Sequence, residues 1–215
     1  MEFQAEMKYV LDTIWLVIGG AFVMWMAAGF AMLEAGLVRS KNTTAILTKN
    51  ITLYSVACIA FYLVGYNLMY GEGNALMGSG FALSGTSSES HSLLSDFFFQ
   101  VVFVATADSI VSGTLAERIR FWPFLAFTLV LTAFIYPIQG HWSWGRTALG
   151  GLMDGFSDFA GSTIVHSVGG WVALAGAILL GARKGKYGPD GKVNAIPGSN
   201  LPLATLGTFI LWLGW

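Results

Sequence analysis

An all-α, polytopic membrane helix bundle is the fold this sequence predicts, and three observations predict it. The chain is 55% hydrophobic and only 11% charged, against roughly 25% charged in soluble domains. Its apolar residues gather into runs long enough to cross a hydrocarbon core about 30 Å thick, which takes about 20 residues. Its basic residues gather in alternate connections between those runs.

The first span is expected over 13–38. The preceding "MEFQAEMKYV" sets Glu2 and Glu6 against Lys8 alone, and the run behind it is too long for a cleaved leader. The second span is expected over 51–70. A Gly/Ser-rich connection without a basic residue follows, and the third span covers 97–116. The fourth covers 121–138 and the fifth 159–182. A sixth apolar run, 201–215, stops at about 22 Å of helical rise. That is too short to cross, so the sequence is expected to end inside a membrane helix as a piece of a longer protein.

Nine of the 11 Lys and Arg residues lie in three alternate connections: Arg39, Lys41 and Lys49; Arg118 and Arg120; Arg183, Lys184, Lys186 and Lys192. Lys8 and Arg146 fall on the other side. The positive-inside rule then puts those loops in the cytoplasm and the N-terminus outside. A net charge of −1 argues against a nucleic-acid partner. The one cysteine, Cys58, excludes a disulfide framework or a cysteine metal site.

Polar groups inside spans carry the functional signal, because burying an ionisable side chain in lipid is costly. His166 lies eight residues beyond Asp158, about 12 Å at helical rise if Asp158 caps the fifth helix. It reads either as a pathway or proton-relay residue or as a neutral imidazole bonded to a neighbouring helix. Gly161, Gly169 and Gly170 with Ala173 and Ala175 give that helix small faces and a central place in the bundle. Asp108 sits mid-span, bonding with Thr106, Ser109 or another helix, or serving as an extra proton site. Glu34, near the end of the first span, reads as a partner of Arg39. An enzyme is not indicated: no GxSG nucleophile motif and no HExxH metal helix occurs, and no cofactor is called for.

"EAGLVRSKN" (34–42), "LAERIRF" (115–121), "IYP" (135–137), "HWSWG" (141–145), "DFAGSTIVH" (158–166) and "PGSNLPLATLGTFILWLGW" (197–215) follow in this order, and together they resemble the ammonium transporter (Amt/Rh) family. The resemblance implies the Amt/Rh channel fold: trimers of eleven-span protomers, each with a pore built from two five-helix halves of inverted topology. Residues 1–200 would form the first half and 201–215 the start of the second. His166 matches one of two histidines lining the family's narrow hydrophobic pore. Trp144 matches the tryptophan of the outer recruitment site, Phe103 a phenylalanine of the gate beneath it, and Phe99 an aromatic near the vestibule. Asp158 matches an acid with a structural and electrostatic role. Read without the family, Trp142 and Trp144 also fit an aromatic belt, and Phe97, Phe98, Phe99 and Phe103 fit packing.

The implied function is passage of ammonium or methylammonium across the cell (plasma or inner) membrane. A tryptophan face attracts the cation, and an apolar tube disfavours the ion far more than neutral ammonia. A neutral imidazole can donate from one nitrogen and accept at the other. The implied surroundings are a lipid bilayer and a homotrimer, with a cytosolic regulatory protein as a candidate partner. The alternative is an ammonium sensor of the same fold coupled to a cytosolic signalling domain.

Overall fold

Hydrocarbon offers backbone N–H and C=O groups no partner, so each apolar run must close its hydrogen bonds within itself. The computed structural model describes residues 2–80, 82–84, 90–145 and 155–215. Five of its helices are long and apolar enough to cross a membrane: α1 (Glu2–Leu37), α2 (Ser40–Tyr70), α3 (Leu93–Leu115), α4 (Phe121–His141) and α5 (Ser162–Leu180). A shorter apolar helix, α6 (Leu201–Gly214), follows. Helix α1 begins well before residue 13. Its 36 residues run about 54 Å, and the first turns expose nearly every side chain. Hydropathy locates where a chain enters lipid, not where its helix starts.

Helix α3 is the most buried of the five and packs against α1, α2 and α5. Helix α6 lies along α1. The two approach closely where Gly29 meets Gly207: a Cβ on Gly29 would lie 2.8 Å from the Gly207 carbonyl oxygen. Small residues of this kind drive helix association in lipid. The chain leading into α6 also completes the end of α1. Ser199 donates its N–H to Val38 O (2.8 Å) and its hydroxyl to Ala35 O (2.6 Å), and the Asn200 N–H reaches Gly36 O (3.1 Å). Asn200 Oδ1 then caps α6 by accepting from the Leu203 N–H at 3.0 Å. The "PGSN" stretch thus completes one helix and caps the next.

Among the described residues, helix α5 does not take the central place its small residues suggested. Gly169 presses on Ala107 and Ile110 of α3, but no described residue lies within 4 Å of a Cβ on Gly170. Of the five long helices α5 is the least buried, at the rim of the described bundle. In α4, the "IYP" stretch opens a wide turn over Leu131–Ile135. Pro137 has no N–H for the Ala133 carbonyl, and the Tyr136 N–H bonds back five residues to Leu131 O.

The basic connections meet at one end of the bundle, as their alternation requires. Glu117 joins α3 to α4 with φ +61°, the left-handed region. Its Oε1 accepts from the Arg39 N–H (3.1 Å), Arg39 Nε (3.0 Å) and Asn42 Nδ2. Arg183 Nη1 stands 3.4 Å from Oε2. Lys49, grouped with these by sequence, is instead buried inside α2. Arg146 lies outside the described residues.

Burial pushes the Glu117 carboxyl upward, but the bonds from Asn42 and Arg39 outweigh it and hold it below the usual carboxylate value. The sign follows: this stabilisation is present above the unfolded carboxylate value and is lost as pH falls through the lower folded one. Glu117→Gln should therefore cost about 1–3 kcal/mol at neutral pH, towards the lower end because both arginines are partly exposed. Melting of the two forms across an acid titration checks this. A gap that does not close on acidification would mean that Glu117 acts by shape and not by charge.

Candidate functional site

Positions three and four apart share one face of a helix, and α3 uses one such face throughout. Phe99, Gln100, Phe103 and Thr106 line a cavity of about 920 Å³ at the end of the bundle where α5 begins. Ser109, Ile110, Gly113 and Thr114 continue the face into a second cavity of about 400 Å³, which reaches Val38 and Arg183 at the Glu117 end. We call these the upper and lower cavities. Of the predicted site residues, Phe99, Phe103, Trp144 and His166 all line the upper one. Gln100 and Thr106 were missed, although their spacing from Phe103 carries the signal.

The aromatic residues form a ladder. Phe99 and Phe103 meet edge to face with centroids 4.9 Å apart, and Phe103 meets Trp144 the same way at 5.8 Å. Such contacts fix ring orientation. Trp142 does something else: its indole donates to Leu76 O at 2.8 Å. Next to it, buried His141 sets Nδ1 2.7 Å from Met69 O and Nε2 3.1 Å from Asn74 O. Those two residues hold the connection after α2, while Trp144 faces the cavity.

Asp158 joins Trp144 to α5. Its backbone carbonyl accepts from Trp144 Nε1. Its carboxylate takes four backbone N–H groups at the helix start: Gly161 and Ser162 on Oδ1 (2.9 and 3.0 Å), Thr163 and Ile164 on Oδ2 (2.8 and 2.9 Å). Burial raises this carboxyl, but those four bonds prevail and hold it below its usual value. Gly161 permits the turn. Its φ is +86°, and a Cβ there would lie 3.0 Å from the Trp144 ring and 2.9 Å from Val165. Asp158 is not part of the upper cavity wall.

The helix therefore starts at Ser162 and not at 159, because the left-handed Gly161 ends any continuation upstream. His166 stands only about 6 Å along α5 from its first residue, in a widened turn where its N–H reaches five residues back to Gly161 O at 3.3 Å. Widened turns of this kind recur at functional sites. The imidazole is half-buried and meets the Trp215 ring at 5.3 Å. Both residues border the upper and the lower cavity, so His166 stands where the two adjoin.

The buried charges are arranged differently from the sequence expectation. Glu34 does not pair with Arg39, whose extended backbone beyond α1 carries it to Glu117. Instead Glu34 Oε2 accepts from Ser112 Oγ (2.8 Å) and lies 3.4 Å from Lys49 Nζ and from Asn50 Nδ2. Lys49 Nζ also donates to Ser112 O at 2.9 Å and sits 4.7 Å from the Phe124 ring centroid. Asp108 bonds to another helix: its Oδ2 accepts from Thr128 Oγ1 of α4 at 2.7 Å. Thr106 and Ser109 turn their hydroxyls back to Val102 O and Ala105 O.

Fold and site define a multi-pass membrane helix bundle in which one helix face and a histidine border two adjoining cavities. The sequence profile of the Ammonium Transporter Family matches residues 14–215, and the chain belongs to that family, one of transporters and not of enzymes. It is 47% identical over 216 residues to ammonium transporter Amt2 of Archaeoglobus fulgidus, covering 95% of this chain and 46% of that protein. A solved structure named Sensor Amt Protein superposes with a TM-score of 0.86 at 39% identity, over all of this chain and 54% of that one. Mep2 of Saccharomyces cerevisiae, at 24% identity, shares the fold with a TM-score of 0.80 over 98% of this chain and 48% of its own. The chain spans about half the length of the curated relatives it matches.

Proposed function

We propose that the complete protein carries ammonium or methylammonium across the cell membrane, with the N-terminus outside. In this reading α1–α5 form one repeat, residues 201–215 begin a second of inverted topology, and three protomers associate, each with its own path. The upper cavity recruits the cation on the Trp144 ring face, with Phe103 and Phe99 below it. Low dielectric then favours transfer of a proton from the cation to the neutral His166 imidazole, the neutral species passes into the lower cavity, and His166 gives the proton back on that side.

The single observation that carries this reading is that His166 borders both cavities while the Phe99–Phe103–Trp144 ladder leads to it from one side. Potassium has similar size and charge but no proton to lose, so the arrangement favours ammonium. The test is methylammonium uptake by the complete protein in lipid vesicles, with potassium as the control. Trp144→Leu keeps an apolar side chain and removes ring attraction worth about 0.5–2 kcal/mol, so half-saturation should rise by a few-fold to tens of fold. Unaltered uptake kinetics would leave Trp144 as a belt residue. No uptake by the wild-type protein would sink the transport reading.

A second reading is favoured by the likeness to a protein named as a sensor. The same site would bind ammonium and signal through an attached cytosolic domain, a regulatory protein being the other candidate partner on that face. Saturable ammonium binding without flux would select it.

A further inference from the structure

Buried charge in a membrane interior is costly unless it is balanced and its lone pairs are used. The space among α1, α2, α3 and α4 holds two carboxyl groups, Glu34 and Asp108, with Lys49. Glu34 is 3% exposed and Asp108 is 0% exposed. Lys49 can balance only one of them. Each carboxyl also keeps one oxygen without a hydrogen-bond partner among the described residues, Glu34 Oε1 and Asp108 Oδ1.

The two differ in access. Asp108 lies off the cavities, whereas Glu34 is part of the lower cavity wall, together with Ser109, Gly113 and His166. Its Oε2 is fixed by Ser112, with Asn50 and Lys49 close by. The free Oε1 is next to Gly113, where a Cβ would stand 3.8 Å away. The glycine sets no side chain between Oε1 and the lower cavity, although Oε1 itself is buried, so a cation reaches it only as the wall gives way at Gly113.

We propose that Glu34 Oε1 is a second, inner binding site for a small cation bearing N–H donors, ammonium or methylammonium, reached through the lower cavity from the Glu117 end. The proposal rests on the reading that such cargo traverses the cavities. A bound cation donates an N–H to Oε1 and supplies the positive charge that Lys49 cannot give to both carboxyl groups. Potassium, with no N–H, gains only the Coulomb part.

The experiment uses the complete protein in vesicles, with methylammonium supplied to one face at a time. Wild-type protein without flux from either face ends the transport reading itself, before any variant is compared. With flux present, Glu34→Gln combined with Lys49→Met removes the buried pair together, because removing one partner alone would strand the other charge. Half-saturation from the Glu117 face should rise roughly tenfold or more, while that from the Trp144 face changes little. If the double variant does not fold, Gly113→Ala decides: its methyl makes only ordinary contact with Glu34, suits a helix and narrows the approach to Oε1. It should raise half-saturation from the Glu117 face alone, by a few-fold. A folded deciding variant with unshifted half-saturation on that face, or equal shifts on both faces, overturns the proposal.

Discussion

His166→Ala is expected to lower ammonium-dependent flux by about 10²-fold or more, the usual contribution of a positioned proton-handling group. The reason is position. His166 borders the cavities on both sides, so on the proposed transport reading cargo moving between them would pass the imidazole. Alanine offers no donor or acceptor there, and an apolar passage without polar partners disfavours even neutral ammonia, though less than it disfavours the ion. Folding should be little affected, because the ring is half-buried and such substitutions away from a packed core change stability modestly. Uptake and melting of the complete protein separate the two effects. Unchanged flux with unchanged potassium exclusion would remove His166 from the path.

The second large effect is expected at Asp158, and the geometry sharpens it. Four backbone N–H groups converge on two carboxylate oxygens. Asparagine has one carbonyl oxygen, so it can serve the pair on one side while its NH₂ faces the other. Asp158→Ala loses all four bonds and should cost about 2 kcal/mol or more, and Asp158→Asn roughly half as much. Because Asp158 also holds Trp144 through its carbonyl, a shifted helix start moves both Trp144 and His166. Transport should therefore fall in step with stability across wild type, Asn and Ala. The carboxyl is held below its usual value, so the stability difference is present above the unfolded carboxylate value and disappears as pH falls through the folded one. An Asp158→Asn protein that melts like wild type yet carries nothing would show that the charge acts on the cation itself.

The relation between these two residues was only partly legible beforehand. An aspartate at the start of an apolar run, with exposed amides after it, is a local pattern, and the capping role could be read from it. The positive φ of Gly161 was not legible, and it shortens the helical path to His166. The link to Trp144 runs through a backbone carbonyl, which no side-chain pattern encodes.

Chain order alone determined the features that depend on solvent and on neighbours in sequence. Five apolar runs must be helices because lipid leaves the backbone no other partner. The alternation of basic connections required Arg39, Glu117 and Arg183 to gather at one end, and they do. Their partners were decided only by tertiary structure. Glu34 and Arg39 are five residues apart and looked like a pair, yet Glu34 faces Lys49 inside the bundle while Arg39 leaves the helix for Glu117. Ion pairs across helices depend on the angle at which each side chain leaves its axis and on which helix stands there. The two cavities have the same origin: the stripe from Phe99 to Thr114 is written in α3, but it became a wall only where α1, α5 and α6 left space beside it.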